Sequence, residues 1–293
     1  MRADCDERAR YGRGHLLLAA GLLTGAVAAD GSAWADIVRL GLKDEESQYV
    51  LLAPLVIIWL AWVRRSRLVY CRPGNRSIGV VMMAVGWAAW SIGYRRSVPT
   101  LWHGGPVLTG LGAIVSVLGA DVLRHFLPAV LALLFLIPIT PTRRQIISAP
   151  MEAYAASWTQ ATCQLLGLNV TRSGNLLSVN GVSVEVAEAC NGMRQVVTFW
   201  LVSYVLLFSR AFRWYARVAG LLAVPVVAIA INVVRLVPTV WVYSYGGGVA
   251  AERFHDMAGW IMLLLAMGLG YAVVGALAWA TVPLRRYQRA LTT

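Results

Sequence analysis

The chain has 293 residues, of which 58% are hydrophobic and only 14% charged, with a mean hydropathy of +0.63. Ordinary soluble domains carry about 25% charged residues, so this composition excludes them and marks an integral membrane protein. A net charge of +12 does not point to nucleic acid here, because the basic residues lie mostly in short connectors between apolar runs.

Taken in order, residues 1–14 are polar and carry Arg2, Arg8, Arg10 and Arg13. The apolar run Leu16 to Ala29 is short for a span, and the small residues around Ala33-Trp34-Ala35 follow it. Residues 1–35 therefore read as a first helix or a signal-like segment, and a retained helix is the expectation. Asp36 to Gln48 is polar and acidic. A second span, Tyr49 to Val63, runs into Arg64, Arg65 and Arg67, and Cys71 to Arg76 is a turn-rich, basic connector. The third span covers Ile78 to Tyr94, the fourth runs from Gly104 to Val122, and the fifth, Phe126 to Ile139, stops at Pro138 and Pro141.

Residues 142–189 form the long non-spanning insert. Ile147, Met151, Tyr154, Trp158, Ala161 and Leu165 are spaced alternately by four and three. That is the apolar stripe of a helix lying along the membrane interface or against the bundle, and packing is its expected purpose. Leu176 to Val179 and Val182 to Ala187 flank Asn180-Gly181, a two-residue hairpin signal. The second strand leads straight into Glu188-Ala-Cys-Asn-Gly-Met-Arg194.

Three spans remain: Met193 to Ser209, Val218 to Tyr243 (interrupted by Asn232 and Arg235), and Met257 to Leu284. The expected architecture is an all-α integral membrane protein, one polytopic domain over 1–293 with about eight transmembrane helices. An extracytoplasmic amphipathic helix and a short β-hairpin precede Cys190. The larger share of the 26 Lys and Arg falls on the side of both termini, which assigns that side to the cytoplasm of a multi-pass inner-membrane protein.

This topology brings three chemistries to one height. Cys190 enters the sixth span from outside, where a helix N-terminus and Arg194, four residues on, both favour thiolate. Arg235 lies 17 residues along the seventh span, about 26 Å, close to the outer edge of the membrane core. A charge at that depth costs about 2.5 to 3.5 kcal/mol and is a functional-site hypothesis by default, against the alternative of snorkelling to the interface. Asn232, three residues earlier, shares its face and is placed to hold the guanidinium. His255 precedes the eighth span from outside, with His15, His103 and His125 as rivals at other span ends. A thiol attacking an amide needs a base and then an acid, which histidine supplies, and a fixed donor for the oxyanion, which arginine supplies. Acyl transfer by a thiol enzyme is the chemistry these groups suggest, with no metal and no cofactor in it.

Glu188-Ala-Cys-Asn-Gly-Met-Arg194, Asn232-Val-Val-Arg235 and Phe254-His-Asp-Met-Ala-Gly-Trp260 resemble the three signature blocks of the exosortase/archaeosortase membrane proteins. The resemblance extends from Asp44 onward, although the family more often has serine after the cysteine, where this chain has Asn191. It implies a transpeptidase-like cysteine protease with Cys190 as nucleophile, Arg235 as oxyanion stabiliser and His255 as acid/base, supported by Arg194, Asn232 and Glu188. The implied partners are exported proteins ending in a short motif (Pro-Glu-Pro in the commonest bacterial version), a transmembrane helix and a basic tail. A glycan or lipid acceptor and a link to exopolysaccharide production or surface anchoring are implied with them, and nucleic acid is not. Two other classes remain: a polytopic transporter or scaffold for polysaccharide export, and a histidine-dependent membrane acyltransferase. Both would survive Cys190→Ala.

Overall fold

Helices begin and end in this chain largely where its apolar runs do. In a computed structural model, Tyr49–Val63 and Met193–Ser209 are helical over the residues their composition predicts. The structure describes residues 11–71, 76–179, 182–185, 193–210 and 212–246, together with 257–258, 261, 265, 268–272 and 275. The chain divides into two compact units, Met1–Pro141 and Thr142–Thr293.

Among its described residues the first unit contains helices and no strand. Helices α1 (Arg13–Ala29) and α2 (Gly31–Lys43) meet at an 80° bend. The second of these corrects the reading of Asp36 to Gln48 as a plain acidic connector. Ala33, Ile37 and Gly41, spaced by four, are its buried face, a periodicity hidden when the stretch is divided at Ala35. After α3 (Tyr49–Val63) come α4 (Arg76–Arg95) and α5 (Pro99–Leu118). The fourth span ends at Leu118, short of Val122, because Gly119 takes φ +81° and breaks the helix. Two short helices, α6 (Asp121–His125) and α7 (Leu127–Ala132), lead to a 3-10 turn over Leu133–Leu136. The Tyr49 hydroxyl donates to the Ile137 carbonyl (3.4 Å) and accepts from the Ile139 amide (3.2 Å), tying α3 to the segment before Pro141.

Glycine decides how α4 and α5 meet. Gly79, Gly86 and Gly93 recur every seven residues on α4 and are its buried positions. A Cβ on Gly86 would stand 2.6 Å from the Thr109 amide nitrogen, and one on Gly112 2.7 Å from that of Met83. Gly79 and Gly93 meet the backbone of Ser116 and Trp102 in the same way. The two backbones touch along their length, the small-residue packing that lipid favours because it adds no hydrophobic driving force of its own.

The second unit begins with α8 (Pro141–Leu165), followed by a three-stranded antiparallel sheet, β1 (Val170–Ser173), β2 (Leu176–Val179) and β3 (Val182–Glu185), in that order. The hairpin around Asn180-Gly181 pairs Val179 with Val182 and Leu176 with Glu185. Strand β1 was not anticipated: Thr171, Arg172 and Ser173 are polar and exposed, and only Val170 enters the core. Its carbonyl accepts from the side-chain amides of Gln160 (3.4 Å) and Gln164 (3.1 Å), so α8 fixes the strand that the residue types do not announce.

The stripe on α8 is not its packing face, which corrects the purpose assigned to it. Of its members only Met151 is buried; Ile147, Tyr154, Trp158 and Leu165 face outward. Packing runs through Ser148, Glu152, Ala155, Ala156, Thr159 and Cys163 instead. Small side chains let the sheet close on the helix, and the large apolar ones are left for an apolar exterior.

Helices α9 (Met193–Ser209) and α10 (Trp214–Gly246) follow the sheet, joined where the Trp200 indole donates to the Leu221 carbonyl at 2.8 Å. Among the described residues, Arg76–Arg95, Pro99–Leu118 and Trp214–Val242 are each long and apolar enough to cross a membrane. Counting each of two bent helix pairs as one span raises these 3 to 5, beside the shorter apolar helices Tyr49–Val63 and Val196–Ser209. The expected eighth span, Met257 to Leu284, is helical at positions 268–272 and otherwise lies mostly outside the described residues. The fold is that of an all-α membrane protein with one small sheet.

Candidate active site

Position 235 is set by helical geometry. Arg235 lies about 32 Å along α10 from Trp214, roughly two-thirds of the way from the basic turn at Arg210 and Arg213 to the end of the helix at Gly246. It is only 3% exposed, and Asn232, one turn earlier, is fully buried. The guanidinium donates through Nη2 to Asn232 Oδ1 at 2.9 Å. Spacing by three on one helix face produces that contact. A snorkelling arginine would carry its charge out to the surface; this one turns it inward to a neutral amide. Thr239, one turn later and also buried, donates its hydroxyl to the Arg235 carbonyl at 2.8 Å. Sequence reasoning passed over Thr239, although its spacing of four from Arg235 was the available signal.

Immediately beyond Arg235, Leu236 and Val240 enter a core with Val170, Leu177 and Val179 of the sheet and Ala155, Ala156 and Cys163 of α8. The sheet is thus packed on α10 beside Arg235. Further ties hold it there: Asn175, in the β1–β2 turn, donates to Glu152 Oε2 at 2.6 Å, and Arg172 donates to the Ala153 carbonyl at 3.1 Å. Both anchor residues lie on α8, and Glu152 is buried. Strand β3 ends at Glu185, five residues before Cys190.

Glu188, Cys190 and His255 lie outside the described residues, as does the side chain of Arg194, whose backbone forms the second residue of α9. The rival histidines are described, and each has local company. His15 packs edge-on to Tyr11, and His125 bonds to the Asp121 carbonyl (3.0 Å) and stacks on Tyr70. His103 is buried in the first unit, with Nε2 2.9 Å from Asp36 Oδ2. Cys71 and Cys163 are free and buried, as cysteines that serve as small hydrophobes are.

The arrangement supplies a permanent cation, oriented by a neutral amide and sheltered from water. Such a donor keeps its full electrostatic effect on an oxyanion and needs no reorganisation when charge develops. Among the described residues no group of three or more His, Cys, Asp or Glu is disposed to hold a metal ion.

Comparison with known proteins covers most of the chain at the level of family. A model describing the transmembrane exosortases matches residues 34–272, a stretch that includes α10 and the whole sheet. No curated protein and no solved structure matches. With a match over more than half its length, the chain belongs to the transmembrane exosortase family.

Proposed function

We propose that this exosortase-family membrane protein is a cysteine transpeptidase or protease acting on the C-terminal sorting signal of exported proteins, at the outer face of the cytoplasmic membrane. Cys190 is the nucleophile, His255 the acid/base and Arg235 the oxyanion donor, with Asn232 orienting the guanidinium and Arg194 and Glu188 in support. The observation that carries this reading is the buried Arg235–Asn232 pair, packed beside the sheet whose last strand ends five residues before Cys190 in the sequence.

The Cys190 thiol gives its proton to the His255 imidazole, and the sulfur adds to the carbonyl carbon of the scissile amide. Negative charge moves onto the carbonyl oxygen, where Arg235 stabilises it. Collapse of the tetrahedral species breaks the C–N bond, and the imidazolium returns the proton to the leaving amine. A thioester on Cys190 remains. Water, or an amine of a glycan or lipid acceptor, resolves it and regenerates the thiol. The basic turn at Arg210, Arg213 and Arg217 then lies on the cytoplasmic side together with both termini.

The test is an exported reporter ending in Pro-Glu-Pro, an apolar helix and a basic cluster, expressed with the full-length enzyme. Wild type is expected to remove the signal, Cys190→Ala to leave it intact, and Cys163→Ser to retain processing. Cleavage that continues without Cys190 would end the cysteine mechanism. A processing defect in Cys163→Ser equal to that of Cys190→Ala would point to a structural thiol pair instead.

A further inference from the structure

Strand β3 forms an edge of its sheet: the order is β1-β2-β3, and among the described residues no strand pairs with its far side. An open edge presents backbone donors and acceptors that an extended peptide is able to pair with. The hairpin decides which residues present them. Val179 and Val182 stand opposite one another across two intervening residues. The pair closing a two-residue hairpin is a hydrogen-bonded one, and bonded and non-bonded pairs alternate along an antiparallel ladder. Val182 and Val184 are therefore turned to β2, opposite Val179 and Leu177. Ser183 and Glu185 direct their N–H and C=O groups onto the open edge.

That edge is close to the chemistry along the chain. Cys190 lies five positions after Glu185, a stretch that reaches about 18 Å at most. The sheet is held against α10 by the core that Leu177 and Val179 share with Leu236 and Val240, next in sequence to Arg235 and Thr239.

Resting on the reading that Cys190 cleaves the sorting signal of an exported protein, we infer that the peptide flanking the scissile bond docks as an added strand on the open edge of β3. Its backbone pairs with Ser183 and Glu185. The occupant is a peptide and not a lipid because the edge repeats donor and acceptor every second residue, about 6.8 Å, which only another extended backbone matches. Main-chain pairing gives affinity that does not depend on which side chains the exported protein carries, and it fixes the register of the scissile carbonyl.

Disulfide trapping in membranes tests this on the full-length enzyme. The enzyme carries Cys190→Ala with Ser183→Cys, and the probe is the reporter described above, with a single cysteine stepped residue by residue across its cleavage point. Trapping is expected to peak at one reporter position and to fall at least about threefold at both neighbours, whose side chains point to the opposite face. Replacing Ser183→Cys by Glu185→Cys is expected to move the peak by two reporter residues. A flat profile, or a peak that stays where it was, overturns strand addition. Processing of the same reporter is measured alongside with Cys190 present. If cleavage needs Cys190 while the profile is flat, only the docking fails; if cleavage persists in Cys190→Ala, the cysteine reading fails first. A reporter that wild type leaves untouched removes both.

Discussion

Gly86 and Arg235 both sit in long apolar helices, and their surroundings are opposites. Around Gly86 the neighbouring helix comes so near that its backbone occupies the place of a side chain. Around Arg235 the helix buries a charge, an amide and a hydroxyl within two turns and gives them hydrogen bonds along its own face. The first arrangement gains dispersion contact and leaves nothing reactive in it. The second accepts the desolvation of a cation, which is tolerable only with partners held in place. The two sites thus differ in what fills the gap around them: neighbouring backbone at Gly86, hydrogen-bonded polar side chains at Arg235.

The contrast breaks first at the glycines. Gly86→Val is expected to cost about 3 kcal/mol or more, since even the first added carbon meets backbone that has no flexible end to move. Gly21, on α1, has nothing within 4 Å of a Cβ, so Gly21→Ala is expected to leave stability unchanged or raise it by up to about 1 kcal/mol. Thermal unfolding of the detergent-solubilised protein reads both. Equal midpoints for Gly86→Val and wild type would mean that α4 and α5 do not approach as closely as this packing requires.

A smaller effect, confined to function, is expected at Arg235. Arg235→Lys keeps the charge and loses the planar fork that reaches Asn232. Processing is expected to slow at least about tenfold, close to 1.4 kcal/mol in the barrier, with unfolding little changed and Arg235→Ala worse. Quantifying unprocessed reporter at equal enzyme abundance makes the measurement. A lysine variant as fast as wild type would reduce Arg235 to a structural residue and move attention to Arg194.

The smallest effect is expected on the outer face of α8. Tyr154→Ser with Trp158→Ser, both exposed, is expected to change unfolding stability in detergent by less than about 0.5 kcal/mol per site. Aromatic residues in a core would lose about 3 to 5 kcal/mol each on truncation. A loss of that size would return the stripe to the packing role that its periodicity suggests.

Periodicity and composition alone determined the membrane class, the limits of Tyr49–Val63 and Met193–Ser209, the Val179–Val182 hairpin and the placing of Asn232 beside Arg235. Each depends on contacts within a few residues, which helix and hairpin geometry impose wherever the segment lies. Strand β1, the inward face of α8 and the α4–α5 approach were decided only by tertiary structure. Val170 to Ser173 becomes a strand because Gln160 and Gln164 hold its first carbonyl and β2 pairs with it. On α8 the outward turn of Tyr154 and Trp158 reverses what the same stripe would mean in a soluble protein, because a membrane offers apolar side chains an apolar exterior. The glycines at 79, 86 and 93 stand in the sequence at intervals of seven, yet nothing local says what they admit. That waits on Gly105, Thr109 and Gly112 of the next helix, because a missing side chain acquires a purpose only from the backbone that fills its place.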